Sequence, residues 1–364
     1  MRFDLSEEQQ DLQGVVRDLL EKSWPRTELT ARIGASSEHD PVWEQLVGLD
    51  LLGLLVPEEQ GGSGASSVEL AVVARELGRA LHPGPYISSA LALAVLADAH
   101  DPAIAEVTAE VLRRGTRVAI VGFDPTEDVR LEATDVDGAM VISGHALNVL
   151  GADSAQAFVV VASTGARGRL FWVDDMSHVS VDVSDQLDIG RPVPSVRFSR
   201  AQATEIVTDR EVRETVERVA LVAQVALAAE QIGGAETCLD IAVEYAKQRI
   251  QFGQPIGSFQ AIKHRCATTA VAIEAARAAM WNAAWEASHD AWSPQVVSHA
   301  GMARAASTEA FVASAESAIQ VLGGIGFTWD YPVHLYYRRA LVSRVLFGSP
   351  RHHRELVARS LFGQ

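Results

Sequence analysis

The run Tyr245–Gln260, YAKQRIQFGQPIGSFQ, gathers groups able to hold a ligand. It offers a cation at Arg249, an amide at Gln251 and an aromatic ring at Phe252. A turn at Gly253 and Pro255 follows, then a second aromatic–amide pair at Phe259 and Gln260. A single arginine can bind phosphate even inside an acidic protein. Further on, QVLGGIGF supplies Gln320 as a donor, and Gly323 and Gly324 as backbone that a bound group can approach closely. Histidine as a residue type titrates near neutrality, so His352 and His353 could act as a base, but with Arg351 and Arg354 they also fit a basic surface turn. Each feature has a plain structural account when read singly. Arg249 would cap a helix C-terminus, Phe252 would fill a core, and the glycines would stop a helix.

Composition narrows the class of protein. The chain has 364 residues, enough for two or three domains, with 48% hydrophobic and 21% charged residues. A formal charge of -16 argues against a protein that coats nucleic acid or an anionic membrane. The two cysteines, Cys238 and Cys266, have no metal-site spacing, so neither a disulfide scaffold nor a zinc ribbon nor another metal centre is expected. The N-terminus, MRFDLSEEQQDLQ, is acidic where a signal peptide is basic, and the apolar stretch Ala90–Ala97 is too short to span a bilayer. The expectation is a soluble cytoplasmic protein, with no nucleic acid and no membrane among its partners.

The elements that must position these residues follow from periodicity. Residues 1–115 read as an N-terminal helical domain. SEEQQDLQGVVRDLLEKSW opens with a Ser6 cap, and SVELAVVARELGRALHPG ends at Gly84 after Pro83. PEEQGGSG is a loop of architectural value only. Residues 116–205 change to six short β-branched runs, which predicts a compact central antiparallel β-domain of barrel-like form. Residues 206–364 return to long Ala-rich helices, a C-terminal bundle that also serves oligomerisation. Gly233 and Gly234 would let a second helix come close. The fold class is α+β multidomain.

This α–β–α order, with PEEQGGSG, YAKQRIQFGQPIGSFQ, QVLGGIGF and YPVHLYYRRA, resembles the acyl-CoA dehydrogenase family from end to end. The resemblance implies FAD held between two subunits, and a carboxylate that removes the α-proton of an acyl-CoA thioester while the β-hydride goes to the flavin. It implies that Arg249 meets the FAD pyrophosphate of the neighbouring subunit. Gln251, Phe252, Phe259, Gln260, Gln320, Gly323 and Gly324 would be further FAD contacts. Electron-transferring flavoprotein would be the electron acceptor.

Two parts of the family pattern are missing. Where active members carry a T-E-P-x-x-G-S-D-like loop and a W-I-T-N motif, this chain reads VGFDPTEDVRLEA and LNVLGADSA. Phe347, in RVLFGSPRHHRELVAR, stands where most members place the catalytic Glu. The other known base position, twenty-six residues before Arg249, holds Ala223. Glu217 and Glu230 lie roughly 9–10 Å along the helix from it, too far to substitute. No catalytic residue is therefore assigned, and the role of Ser349 stays open.

The pattern resembles the degenerate subunits of heteromeric α2β2 acyl-CoA dehydrogenases of bacterial steroid side-chain catabolism. The chain is expected to complete the FAD site of a catalytic partner subunit, which binds most of the acyl-CoA substrate, and to be inactive alone. Two alternatives stay open: a self-sufficient homotetramer with a relocated base, and a non-redox acyl-CoA-binding or scaffold protein.

Overall fold

The computed structural model describes residues 5–33, 40–127, 129–165, 167–183, 186–289 and 293–363. Asp128 of the VGFDPTEDVRLEA run, and Ser184 at the end of the predicted strand VSVDVS, lie outside the described residues.

Six helices come first: α1 (Glu7–Ser23), α2 (Leu29–Arg32), α3 (Pro41–Gly48), α4 (Ser67–Ala80), α5 (Tyr86–Ala97) and α6 (Pro102–Arg114). Ser6 and Gln9 form the capping box expected of α1, each side chain bonding the other's backbone N–H. The end of α4 differs from expectation. Leu81, in left-handed conformation, closes it three residues before Gly84, and its N–H bonds back to the Leu77 and Gly78 carbonyls. PEEQGGSG is a packed turn, with the N–H groups of Gly62 and Gly64 bonded to Pro57 and Val56 carbonyls.

Among the described residues seven strands follow rather than six: β1 (Val118–Val121), β2 (Arg130–Val136), β3 (Ala139–Ala146), β4 (Ala157–Thr164), β5 (Arg167–Val173), β6 (Val179–Asp182) and β7 (Ser195–Ile206). The strand missed by sequence is β2, RLEATDV. Its alternating burial is carried by only Leu131 and Ala133, too few apolar residues to show a period. Strand order β1-β4-β2-β3-β7-β5, with β5 also pairing β4, closes the sheet around Phe158, Val160, Phe171, Val196 and Phe198. Phe158 and Phe198 meet edge-to-face inside it, 5.5 Å between centroids. The sheet is mixed and not wholly antiparallel, because β1 runs parallel to β4, and β2 meets β4 in parallel at Glu132 and Ser163.

The chain leaves β7 at Ile206 and enters α7 (Val212–Gln248), a 37-residue helix buried on most faces between Val219 and Cys238. Two glycines admit its neighbours. A Cβ on Gly233 would sit 1.9 Å from the Arg75 carbonyl oxygen of α4, and one on Gly234 would sit 2.5 Å from the Phe311 ring. After α7 come a two-stranded hairpin, β8 (Ile250–Gln251) and β9 (Gln254–Pro255), then α8 (Gln260–His289), α9 (Pro294–Leu322), α10 (Val333–Ser343) and α11 (Pro350–Phe362). α9 contains Phe311, so α7 is packed on one side by α4 and on another by α9.

The apolar stretch most relevant to a membrane is not Ala90–Ala97. The segment Pro294–Phe327, which contains α9, is long and apolar enough to cross a bilayer, and 56% of its most apolar stretch is buried inside this fold. Packed against α7, it is a core helix of the bundle.

Candidate functional site

The structure separates the sequence-predicted positions into an outward-facing group and a closed one. The outward group lies at one end of the helical bundle. α8 and α9 run antiparallel, since Thr269 bonds Ser317 at 3.3 Å and Asn282 bonds His299 at 3.2 Å. The start of α8 and the end of α9 therefore share an end, which brings Phe259 and Gln260 to the same side of the bundle as Gln320, Gly323 and Gly324.

The β8–β9 hairpin is built by its turn. Phe252 (φ 51°) and Gly253 (φ 80°) are both left-handed, as a two-residue type I′ connection requires. Arg249 ends α7 as its C-cap, and its carbonyl accepts the Ile256 N–H at 2.8 Å, which anchors the hairpin base. The guanidinium is exposed and has no hydrogen-bond or ion-pair partner among the described residues. Many of the other arginines are paired with carboxylates: Arg75 and Arg79 with Glu236, and Arg339 with Asp188. Phe252 is 92% exposed, so it is not a core residue, and its ring meets Phe259 edge-to-face.

Gln251, Gln260 and Gln320 are exposed as well. α9 stops at Gly323 (φ 67°), a conformation that favours glycine, and a Cβ on either Gly323 or Gly324 would meet nothing within 4 Å. Phe327 and Trp329, just beyond, are 70% and 55% exposed. A cation and three exposed amides, none with a side-chain partner among the described residues, thus share one end of the molecule with open glycine backbone and exposed aromatic rings.

The positions of the missing half are closed. Phe347 is buried and left-handed (φ 53°). Its N–H donates to Asp124 Oδ2 at 2.6 Å, while Asp124 Oδ1 accepts from the Thr126 N–H and hydroxyl at 2.8 and 2.6 Å. Arg304, wholly buried on α9, supports the same turn by donating to the Ser343 and Leu346 carbonyls at 2.9 and 2.8 Å. Burial pushes its pKa down to about 10, which leaves it charged at neutral pH. Ala223 is fully buried; Glu230 is buried and paired with Arg191; Glu217 pairs with Arg213 at 2.9 Å. None of these carboxylates is free to act as a base. In the counterpart of W-I-T-N, Leu147 is half exposed and Asn148 is left-handed.

His353 does not belong to a surface turn. It is fully buried with Nε2 3.1 Å from the Gly348 carbonyl, and burial, with Arg304 and His352 nearby, pushes its pKa down to about 3. Ser349 caps α11 by accepting the His352 N–H. Beside β1, an open groove of about 810 Å³ is lined by Gly122, Asp124, Glu127, Ser143 and Ser163. Burial, and then the charge of Asp124, raise the Glu127 pKa to about 8.

Sequence reasoning missed Asp124 and Arg304. Asp124 had a signal in Asp-Pro-Thr, an Asx-turn composition that aims the carboxylate at its own loop. Arg304 is a lone cation in the Ala-rich run GMARAASTEAFVASAES, a position that a core helix fills with charge only when partners await it.

Comparison with known proteins identifies the family. Residues 6–105 match the acyl-CoA dehydrogenase N-terminal domain and residues 215–362 the acyl-CoA dehydrogenase C-terminal domain. The chain belongs to the acyl-CoA dehydrogenase family, whose cofactor is FAD. It is 34% identical to acyl-CoA dehydrogenase IpdE2 of Mycobacterium tuberculosis over 95% of this chain and 94% of that one. It is 31% identical to IpdE2 of Mycolicibacterium smegmatis over 95% and 96%. Among solved structures, the ChsE4-ChsE5 complex from Mycobacterium tuberculosis superposes with a TM-score of 0.88 at 25% identity, covering 100% of both chains. The Tcur3481-Tcur3483 steroid ACAD superposes with a TM-score of 0.85 at 25% identity, covering 98% of each.

Proposed function

We propose that this chain is the non-catalytic subunit of a heteromeric, FAD-dependent acyl-CoA dehydrogenase, and that it completes the cofactor site of a catalytic partner in an α2β2 assembly. One contrast carries the reading. Arg249 is exposed, without a hydrogen-bond or ion-pair partner among the described residues, at the base of an exposed hairpin, while Phe347 is buried at the position of the family's base. The outward group fits a dinucleotide held from outside, and the closed group does not fit a flavin ring seated against this chain.

In this reading the Arg249 guanidinium would hold the pyrophosphate by paired N–H bonds. Gln251, Gln260 and Gln320 would add amide contacts. The open backbone at Gly323 and Gly324 would let the dinucleotide lie close, with Phe252 and Phe259 as an apolar wall. FAD, when bound, accepts the hydride that leaves the β-carbon of the acyl-CoA; the base that takes the α-proton would come from the partner. This chain's residues bind and orient; none of those assigned moves a proton.

A steroid side-chain CoA ester is the proposed substrate class, supported by likeness to a protein described as a steroid ACAD. The three-part division at 116 and 206, a cytoplasmic location and transfer of electrons to an electron-transferring flavoprotein complete the proposal.

The test is to purify the chain alone and together with a catalytic acyl-CoA dehydrogenase subunit from the same organism, then measure flavin absorbance and mass. Little flavin in the lone chain and about one FAD per heterodimer in the pair is expected from one shared site. A yellow homotetramer that oxidises acyl-CoA unaided would refute the proposal.

A further inference from the structure

Two segments more than two hundred residues apart in sequence are tied together where the family's flavin ring would need room. One is the loop after β1, residues 122–127, the counterpart of the hydroxyl-bearing flavin loop. The other is the turn between α10 and α11, which carries Phe347. They are joined by the Phe347 N–H, which donates to Asp124 Oδ2 at 2.6 Å, between residues that are 5% and 8% exposed.

We propose that Asp124 is a positioning residue that shuts the chain's own flavin seat, so that FAD can occupy only the half-site that this chain completes for another protein. This inference rests on the heteromeric reading above and adds a residue-level cause to it.

The argument has three physical parts. First, the carboxylate is committed. Thr126 holds one oxygen through two bonds and Phe347 holds the other through one, so the carboxylate is aimed at its own loop and at the Phe347 turn. Second, the turn is kept in a conformation that a bulky side chain rarely adopts. Phe347 has φ 53° and Gly348 φ 104°, and a left-handed non-glycine residue persists only where its surroundings hold it there. Asp124 supplies one restraint, and Arg304 supplies two more by gripping the carbonyls of Ser343 and Leu346. Third, the Phe347 ring is itself buried, so a side chain fills the place where family members have a carboxylate.

The consequence concerns homodimers. Two copies of this chain would each present the Arg249 clamp, but each to a half-site in which the 122–127 loop is tied to the Phe347 turn, although that loop also borders an open groove of about 810 Å³. Loss of the base does not explain such a failure, because a missing base stops proton removal without stopping flavin binding. Closure explains both.

The experiment uses the full-length chain and FAD itself. Hydrogen exchange of the Phe347 amide is followed by peptide mass spectrometry in wild type, Asp124→Ala and Thr126→Val, and FAD retention is measured in wild type and Phe347→Glu. Closure by Asp124 predicts that D124A speeds exchange of that amide by at least about tenfold, the loss of one buried charge-assisted bond. T126V leaves the carboxylate in place but aims it less firmly; its own side chain is exposed, so it folds even if D124A does not, and it should speed the same amide by about threefold. F347E, with the Asp124 tie intact, should still collect no FAD. Exchange as slow as wild type in T126V and in any D124A that folds, or near-stoichiometric FAD in F347E, would overturn the inference. Failure of the heteromeric reading has a different signature: wild-type chain that is already yellow when purified alone.

Discussion

Phe252 and Phe259 meet edge-to-face with ring centroids 6.0 Å apart, although Phe252 is 92% exposed to solvent. A hairpin tip does not ordinarily place a phenyl ring in water, and only one neighbour shields it. In the proposed heteromeric assembly the partner subunit would cover this ring. Phe252→Ala should change the melting of the lone chain by no more than an aromatic pair is worth, about 1 kcal/mol. Its association with the catalytic partner, followed by sedimentation, should weaken about tenfold or more, as for an aromatic anchor in an interface. Unchanged association would remove the hairpin from the contact.

Arg249 offers a cleaner separation of binding from folding, because it is exposed and its guanidinium has no hydrogen-bond or ion-pair partner among the described residues. Arg249→Ala should leave the thermal midpoint of the lone chain in place. In the paired complex it should lower FAD retention by about 10- to 100-fold, the loss of a charge-assisted contact of about 1.5–3 kcal/mol. Arg249→Lys should recover only part of this, since an ammonium cannot make the two parallel bonds of the fork. The flavin-to-protein absorbance ratio after gel filtration reads all three. Full flavin in the alanine variant would mean that the cation serves another purpose.

The glycines divide into two kinds with opposite expectations. A methyl on Gly233 would press on the α4 backbone at the Arg75 carbonyl, which cannot move aside as a side chain can. Gly233→Ala should cost about 3 kcal/mol or more of stability, at the upper end of overpacking effects. Gly324 faces open space and has no left-handed φ, so Gly324→Ala should melt like wild type. If FAD lies against that backbone in the complex, the same methyl group should still reduce flavin retention. Melting curves of the lone chain and flavin content of the pair distinguish the two positions.

Most of the architecture could be read from periodicity because the helices here repeat strongly. The Ser6–Gln9 capping box, the apolar α7 and its Gly233–Gly234 pair all carry local signals that survive into the structure. β2 did not, because half its residues face solvent and its apolar set is small. The outward group of the site was legible as a contiguous run from Arg249 to Gln260 plus the Gln320–Gly324 segment. The closed group was legible only as absences. Its positive content, the Asp124–Phe347 bond and the Arg304 support, joins residues 223 and 42 positions apart, and no local pattern encodes such pairings.

His353 gives the fold a specific sensitivity to acid. It is fully buried against the Gly348 carbonyl, and burial together with the charge on Arg304 holds its folded-state pKa at about 3, against roughly 6.5 in an unfolded chain. A depressed histidine favours its neutral form in the native state. Above the unfolded value both states are neutral, and the group contributes its full stability. As the pH falls below about 6.5, the unfolded chain takes up a proton that the native chain refuses, and stability is lost at up to about 1.4 kcal/mol per pH unit until the folded value is reached. His353→Gln cannot titrate, so its stability should lack this slope whatever its absolute value. Urea unfolding at pH 7 and pH 5 should show wild type losing about 2 kcal/mol more than H353Q over that interval. Every other carboxylate and histidine is common to the two proteins, so the difference isolates His353; equal losses would mean that its ring is protonated in the native state.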